Sequence, residues 1–517
     1  MQTIKEQIMD IIRDPSKTHR QTVFALAELA DRLCDYPAGI PENFQRLADE
    51  EILCDHNDGH APLCPRYILP DYERFMERGC DFLRLPAPRT LAEALASLTI
   101  FYTHVPSITH FPVYIGRLDR LLEPFVQAVG RAQAREPLRL FLIGLDRIIG
   151  DSFCHANIGP EQTVTGELIV ELLPELQNAV PNLTLLYDPA VTPDDFAIRC
   201  ISCALRCANP AFAFDPYYRA RIGEQYGIAS CYNGLYVGGG AFSLSRIRLG
   251  KIAERCTGPD DFFSSRLPES VDAACRFMEA KIRFIAEEIP FFKSNFLVRE
   301  GFLHRDKFVG LFGLVGMNEC VNTLMDLSGD TGRYGPDERA NQLGLRIMES
   351  IEKQVQAFES RYCAVNGHRF LLHAQVGAVG DNGVTPGVRI AIGSELPLYD
   401  HLRQAGLFHH FFPSGVGDIF PFDQTAVQNP AAVLDIFKGA FRCGMQYIST
   451  YESASDVIRV TGYLIKRSDF EAMQGGAPVV NSAVAASRET IEQRHTYNRM
   501  VRGVPSTQAP GSKLYRM

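Results

Sequence analysis

The chain contains no tryptophan, an absence that excludes nothing, but several other absences are informative. No window approaches about eighteen consecutive apolar residues, so no membrane-spanning helix is expected. The net charge is −9 and Lys and Arg form no run, which argues against a nucleic-acid surface or an anionic membrane as partner. The first residues, MQTIKEQIMDIIRDPSK, carry charges throughout and lack the apolar centre and small-residue end of an export signal. A cytoplasmic protein that acts on a small molecule is therefore expected. Fourteen cysteines without an export signal then read as reduced thiols, not as a disulfide framework.

Internal repeats of about 20 to 50 residues are missing, as is a Pro- or Ser-rich linker. With 46% hydrophobic and 22% charged residues, the 517-residue chain can bury a large core as one long domain. Residues 1–100 read as a helical layer of that domain: TVFALAELADRLCDY and TLAEALASLTIFYTHV place apolar residues at helical spacing. Helical patterns then alternate with short apolar runs: LRLFLIGL (Leu138 to Leu145), NLTLLYD (Asn182 to Asp188), FVGLFGLVG (Phe308 to Gly316), FLLHAQVG (Phe370 to Gly377) and VIRVTGYLI (Val457 to Ile465). This alternation predicts an α/β fold with a largely parallel sheet buried on both faces. Residues 487–517 read as a polar tail rich in Pro and Gly.

The last of these runs has Gly462 at its centre. A glycine inside a strand-like run commonly marks a bulge or a close backbone approach. Its chemistry offers a second role. The glycine α-carbon lies between two amides with no side chain, so loss of a hydrogen atom leaves a radical delocalised over both, uncrowded by a β-carbon. Such a radical needs burial, which Val457, Ile458, Val460, Leu464 and Ile465 would provide.

Arg459-Val460-Thr461-Gly462-Tyr463 resembles the Arg-Val-x-Gly-aromatic signature of glycyl radical enzymes, placed 517 − 462 = 55 residues from the C-terminus, where that family keeps it. The family also needs a cysteine that relays the radical. Cys231, in the Gly-rich segment GIASCYNGLYVGGGAFSLSRIRLGKIA, resembles the cysteine loop of anaerobic ribonucleotide reductases, in which a Ser-Leu-x-x-Ile helix follows. FGLVGMNECVNTLM (Phe312 to Met325) is similar to another segment of those enzymes. Over its length, from GHAPLCPRYILPDY (Gly59 to Tyr72) through SFCHANIGP (Ser152 to Pro160) to the glycine loop, the chain most resembles YjjI-type glycyl radical enzymes, a ribonucleotide-reductase-like branch.

The resemblance implies a barrel across 101–486, built of two half-sheets of parallel strands around opposed Gly and Cys loops. It implies a glycyl radical at Gly462, installed by a separate radical-SAM activating enzyme with an iron–sulfur cluster. A thiyl radical at Cys231 would then take hydrogen from a small organic substrate. No tightly bound cofactor and no metal is expected in the chain itself, and a homodimer is expected.

Departures from the family narrow the chemistry. Formate-lyase types carry two adjacent cysteines, but Ser230 and Tyr232 flank Cys231. Dehydratase types place a glutamate two residues after the cysteine as acid or base, where this chain has Asn233. Anaerobic ribonucleotide reductases bind zinc through two Cys-x-x-Cys pairs before the glycine loop, whereas Cys443 stands alone. The substrate is thereby left open, with nucleotide reduction or a non-catalytic radical-loop protein as alternatives. A hydrolase would require a Gly-x-Ser-x-Gly elbow, which is missing.

His155 and Asn157, after an apolar run, are candidates to face substrate, with a structural role as the alternative. Glu319 is the candidate carboxylate for acid–base work, or else a helix N-terminal charge. Asn233 could hydrogen-bond substrate. Cys54, His56, His60 and Cys64 invite a zinc reading, but the spacing matches no standard finger. Cys200, Cys203 and Cys207 fall with Phe196 on one helical stripe, which reads as core packing. The glycines of YVGGGAF read as loop flexibility that lets the Cys231 loop approach the glycine loop.

Overall fold

Three of the apolar runs are strands in the computed structural model, which describes residues 2–54, 59–375, 383–484, 491 and 496–502. NLTLLY and FVGLFGLV are buried at every position, so side chains on both faces of their strands are covered. The strands, in chain order, are β1 (Leu53–Cys54), β2 (Tyr67–Leu69), β3 (Tyr114–Arg117), β4 (His155–Ile158), β5 (Asn182–Tyr187), β6 (Ala211–Phe214), β7 (Tyr226–Ala229), β8 (Asn233–Tyr236), β9 (Gly239–Arg248), β10 (Phe308–Val315), β11 (Leu371–Ala374), β12 (Asp418–Phe422), β13 (Tyr447–Glu452), β14 (Val457–Arg459) and β15 (Leu464–Lys466).

Two sheets organise the molecule. One has six strands in the order β12-β13-β6-β5-β4-β3, the other joins β9, β10 and β11 with β1 and β2 on β9. The arrangement is the mixed α/β barrel of two half-sheets, but neither sheet is wholly parallel. β13 meets β6 antiparallel, joining a parallel block β3 to β6 to the parallel pair β12 and β13. β1 and β2 also run antiparallel to β9. Antiparallel neighbours need no crossover helix, so short N-terminal segments can add to an edge. The N-terminal hundred residues carry helices but also supply these two strands.

Four local readings change. LRLFLIGL is the C-terminal part of the helix Arg131–Ile148. Leu138, Phe141, Leu142 and Leu145 are buried while Leu140 is exposed, a helical stripe that a short apolar run conceals. SLSRI belongs to β9, and the helix Leu249–Ala253 begins only after it. VIRVTGYLI is a hairpin, β14 and β15, with Gly462 in its turn and not within a strand. The glycines of YVGGGAF serve neighbouring backbone instead of the glycine loop: a Cβ on Gly240 would lie 2.0 Å from the Tyr67 carbonyl, and one on Gly239 2.1 Å from that of Lys307.

Helices cover the sheets. Leu267–Arg283 packs on β9 and β10, and Asp194–Cys207 packs on β13 with its cysteine stripe buried in the core. Two hairpins, β7/β8 and β14/β15, stand apart from both sheets. The first is clamped to β4, where Asn157 Nδ2 donates to the Ile228 carbonyl at 3.0 Å and its Oδ1 accepts the Ile228 N–H at 2.8 Å. Asn157→Ala leaves both backbone groups buried without partners, and a loss of about 1–3 kcal/mol is expected in urea unfolding.

Candidate active site

The turn of the glycine hairpin, Val460 to Tyr463, is buried, which is unusual for a turn because its backbone must find partners away from water. Here it does. Asn182 Nδ2, on β5, donates to the Gly462 carbonyl at 3.0 Å. Arg499 donates to the carbonyls of Arg459 and Val460 at 3.2 and 3.1 Å. The hairpin is tied down from its other side by the Arg459 side chain, fully buried, whose Nε donates to the Ala208 carbonyl at 3.0 Å. Tyr463 packs against Phe153 with ring centroids 4.8 Å apart.

The turn of the other hairpin carries Ser230, Cys231 and Tyr232. Ser230 takes a left-handed φ of 58°, which turns the chain tightly. Its N–H donates to the Val113 carbonyl at 3.2 Å, and the Gly234 N–H donates to that of Ser414 at 2.6 Å. The Tyr232 hydroxyl donates to the Ala374 carbonyl at 2.6 Å. Both sheets thus hold the tip in place.

The two turns meet. A methyl group added to Gly462 in the L configuration would lie 2.3 Å from Cys231 Cβ and 2.5 Å from its Sγ, an impossible contact. Only hydrogen fits there, and the hydrogen pointing at the sulfur is the pro-S one. Cys231 is buried, and burial pushes its thiol up to about 12 against the opposing pull of a Ser230 hydrogen bond and the Arg389 and Arg66 charges. The sulfur therefore stays a neutral S–H at neutral pH. A neutral S–H is a poor nucleophile but retains the hydrogen atom that a radical relay requires.

The remaining sequence candidates fall in different places. His155 is fully buried on β4 with neither ring nitrogen hydrogen-bonded. Burial, then the Arg459 charge, drives it well below the ordinary imidazole range, so the ring is neutral. Asn157 is committed to Ile228 as described above. Asn233 Nδ2 donates to the Ala229 carbonyl at 3.0 Å across its own hairpin, and its Oδ1 is buried without a partner. Glu319, at the start of the helix Met317–Leu327, accepts the Thr385 N–H at 3.1 Å and the Thr385 hydroxyl. It lines a cavity of about 170 Å³ that also touches Val460 and Thr461. Cys231 is not among the residues lining that cavity.

Several residues near the two turns were not singled out from sequence. Arg389 donates through Nε to the Gly417 carbonyl at 2.7 Å and lies over the Tyr232 ring, 5.8 Å from its centroid. The His373 ring lies 5.7 Å from that of Tyr232, and burial, then the Arg66 charge, pushes the imidazole down to about 3. Asp418 lies 3.0 Å from His401 Nε2. Burial raises the Asp418 carboxyl, but its contact with His401 and the charge of Arg389 outweigh that and hold it well below the usual range. The legible signal was His373 and Gln375 alternating inside the apolar run FLLHAQVG.

Of Cys54, His56, His60 and Cys64, those described belong to no group that could hold a metal ion. His60 stacks on Tyr36 at 3.8 Å, with Nδ1 2.7 Å from the Cys34 carbonyl, while Cys54 accepts from Arg246. His56 lies outside the described residues. Among those residues no group of three or more His, Cys, Asp or Glu could hold a metal ion, and no helix is long and apolar enough to cross a membrane.

Solved structures share this fold. The anaerobic ribonucleotide reductase from Thermotoga maritima, in complex with dATP and CTP, aligns with a TM-score of 0.67 at 11% identity, over 92% of this chain and 94% of that one. Hydroxyproline dehydratase (HypD) from Clostridioides difficile, with trans-4-hydroxy-L-proline bound, aligns with a TM-score of 0.65 at 12% identity, over 97% and 89%. The fold is that of the glycyl radical enzymes. In sequence, a Haemophilus influenzae chain described as "Uncharacterized protein" is 41% identical over 507 residues, 96% of this chain and 97% of that one. The family model "Glycyl radical enzyme YjjI-like" matches residues 17–502, and the chain belongs to that family.

Two outcomes follow from this geometry. Iodoacetamide at pH 7 to 8 should alkylate the exposed Cys34 and Cys443 and leave Cys231 untouched, read by peptide mass spectrometry. Gly462→Ala forces the two turns apart and should lower stability by about 1–3 kcal/mol in chemical denaturation, in contrast to glycine replacements where space is open.

Proposed function

We propose that the chain is an oxygen-sensitive enzyme in which Gly462 stores a radical and Cys231 delivers it to a small organic substrate. The single observation that carries this reading is the contact between the two turns: the L side-chain direction of Gly462 points at Cys231 Sγ, within 2.5 Å of a methyl placed there. A separate radical-SAM activating enzyme, with its own iron–sulfur cluster, removes one hydrogen atom from the Gly462 α-carbon. The remaining spin is spread over the flanking amides and shielded by Val460 and Tyr463, both buried. On substrate binding the Cys231 S–H gives its hydrogen atom to Gly462, leaving a thiyl radical. That sulfur takes a hydrogen atom from substrate, and after rearrangement, elimination or reduction returns it. The spin then passes back to glycine.

The role of the protein is alignment and exclusion of water and oxygen. Three anchors on the Cys231 turn and three on the Gly462 turn support it. In this reading the unbonded, neutral His155 ring is a candidate for substrate contact, as are the Asn233 amide oxygen and Glu319. Asn157, already bonded to Ile228, acts as a positioning residue for the cysteine turn. The cavity beside the glycine turn, about 170 Å³, has room for a small organic molecule, since about 150 Å³ holds a ring the size of benzene.

Anaerobic activation should produce an EPR doublet, and admission of air should cut the chain at Gly462, releasing a piece of about 55 residues (517 − 462) on a denaturing gel. Cys231→Ser should keep the doublet and abolish turnover in a metabolite screen. An uncut chain after proven activation, or turnover by the Ser variant, overturns the assignment.

A further inference from the structure

The cavity beside the glycine turn is lined by several charged groups, and most are already occupied. Glu319 is bound to Thr385, Arg499 to the hairpin carbonyls, and Asp418 to His401 and the Ile419 N–H. Among the described residues, three side chains at this cavity keep atoms without hydrogen-bond partners. Arg389 is 8% exposed, and beyond its Nε bond both terminal nitrogens are buried without a hydrogen-bond partner. Glu395 is 4% exposed; one carboxylate oxygen accepts the Gly393 N–H at 2.9 Å and the other, also buried, has no partner. The Thr461 hydroxyl, 3% exposed and one residue from the radical position, has none either.

Buried polar groups without partners are rare, and a charged one is costly to leave unpaired. Here three such side chains line one cavity that reaches the glycine turn. The two free nitrogens of a guanidinium form a planar fork that matches a carboxylate in a bidentate pair. The unpaired oxygen of Glu395 calls for a donor, a hydroxyl or an ammonium. Arg389 stacks over Tyr232, the neighbour of Cys231, so a group held by its fork lies beside the reactive turn. The volume of about 170 Å³ suits a molecule of roughly six to eight non-hydrogen atoms. The Arg389 charge is already shared with Asp418, whose carboxylate lies 3.8 Å from its Nε, so its fork suits a single negative charge better than the two of a phosphate monoester.

Resting on the radical reading of Gly462 and Cys231, we propose that the substrate is a small carboxylic acid bearing a hydroxyl or amino group, its carboxylate held by Arg389 and its donor group by Glu395. The Thr461 hydroxyl completes the cradle from the glycine turn.

The test is binding to the unactivated full chain, read by saturation-transfer NMR and thermal melting. The probes are L-lactate, glycine, L-proline, propionate, the neutral amide lactamide, and glycerol 3-phosphate. At least one hydroxy or amino acid should bind in the millimolar range or tighter, with lactamide at least tenfold weaker than L-lactate. Arg389→Gln should weaken the acid at least tenfold and Arg389→Lys by less, both with an unligated melting temperature near that of the parent. Glu395→Gln should narrow the preference for the hydroxy or amino acid over propionate. Binding of no acid, equal binding of the amide, retained binding by Arg389→Gln, or tighter binding of glycerol 3-phosphate than of every acid overturns the proposal. Because no radical is involved in this measurement, its failure leaves the EPR test untouched, and a missing EPR doublet would sink the radical reading without altering the binding result.

Discussion

The structure is organised around one steric fact: the space where any residue but glycine would place its β-carbon at position 462 is filled by Cys231. Two backbone turns that come this close cannot tolerate drift. Each is accordingly fixed from several directions: the cysteine turn by Val113, Ser414, Ala374 and Asn157, the glycine turn by Asn182, Ala208 and Arg499. These anchors come from both sheets and from the C-terminal segment. The barrel, seen this way, is a frame that holds two short turns in register.

Burial then has two effects at the same place. It removes water from the glycine α-carbon, which a stored radical needs, and it raises the thiol of Cys231 so that the sulfur keeps its proton. A thiolate in this position would be a nucleophile, and a neutral thiol is a hydrogen-atom donor. In the proposed reading, the same apolar packing therefore favours hydrogen-atom transfer at Cys231 over nucleophilic chemistry. The cost of burial is seen in the polar groups around the turns. Many are paired with backbone, and among the described residues His155 and Asn233 near the two turns, and Arg389, Glu395 and Thr461 at the cavity, keep polar atoms without hydrogen-bond partners.

Much of this was readable in one dimension. The α/β class followed from apolar runs separated by helical patterns, and β5, β10 and β11 lie where those runs predicted. The misreadings share a cause. LRLFLIGL is dense enough in leucine to hide a helical stripe, and VIRVTGYLI contains no turn residue except the glycine itself, so a hairpin and a single strand look alike. His373 left a trace, alternating with Gln375 inside an apolar run, whereas Arg389 and the Asp418–His401 pair were not legible as site residues. The local pattern around them carries no mark of the cavity they line.

The sequence by itself determined the residue types on which the proposed chemistry rests: a glycine in an apolar setting at residue 462, a cysteine in a Gly-rich turn at residue 231, and enough β-branched and aromatic residues to bury both. Those are properties of residue type and near neighbours, and they survive without coordinates. Only the tertiary structure decided that these two turns, 231 residues apart in the chain (462 − 231), meet with no room for a methyl group. It also decided that Asn157 serves the scaffold and that Arg389 and Glu395 face one cavity with polar atoms to spare. Contacts over such separations depend on how sheets and hairpins stack, and local pattern does not encode that.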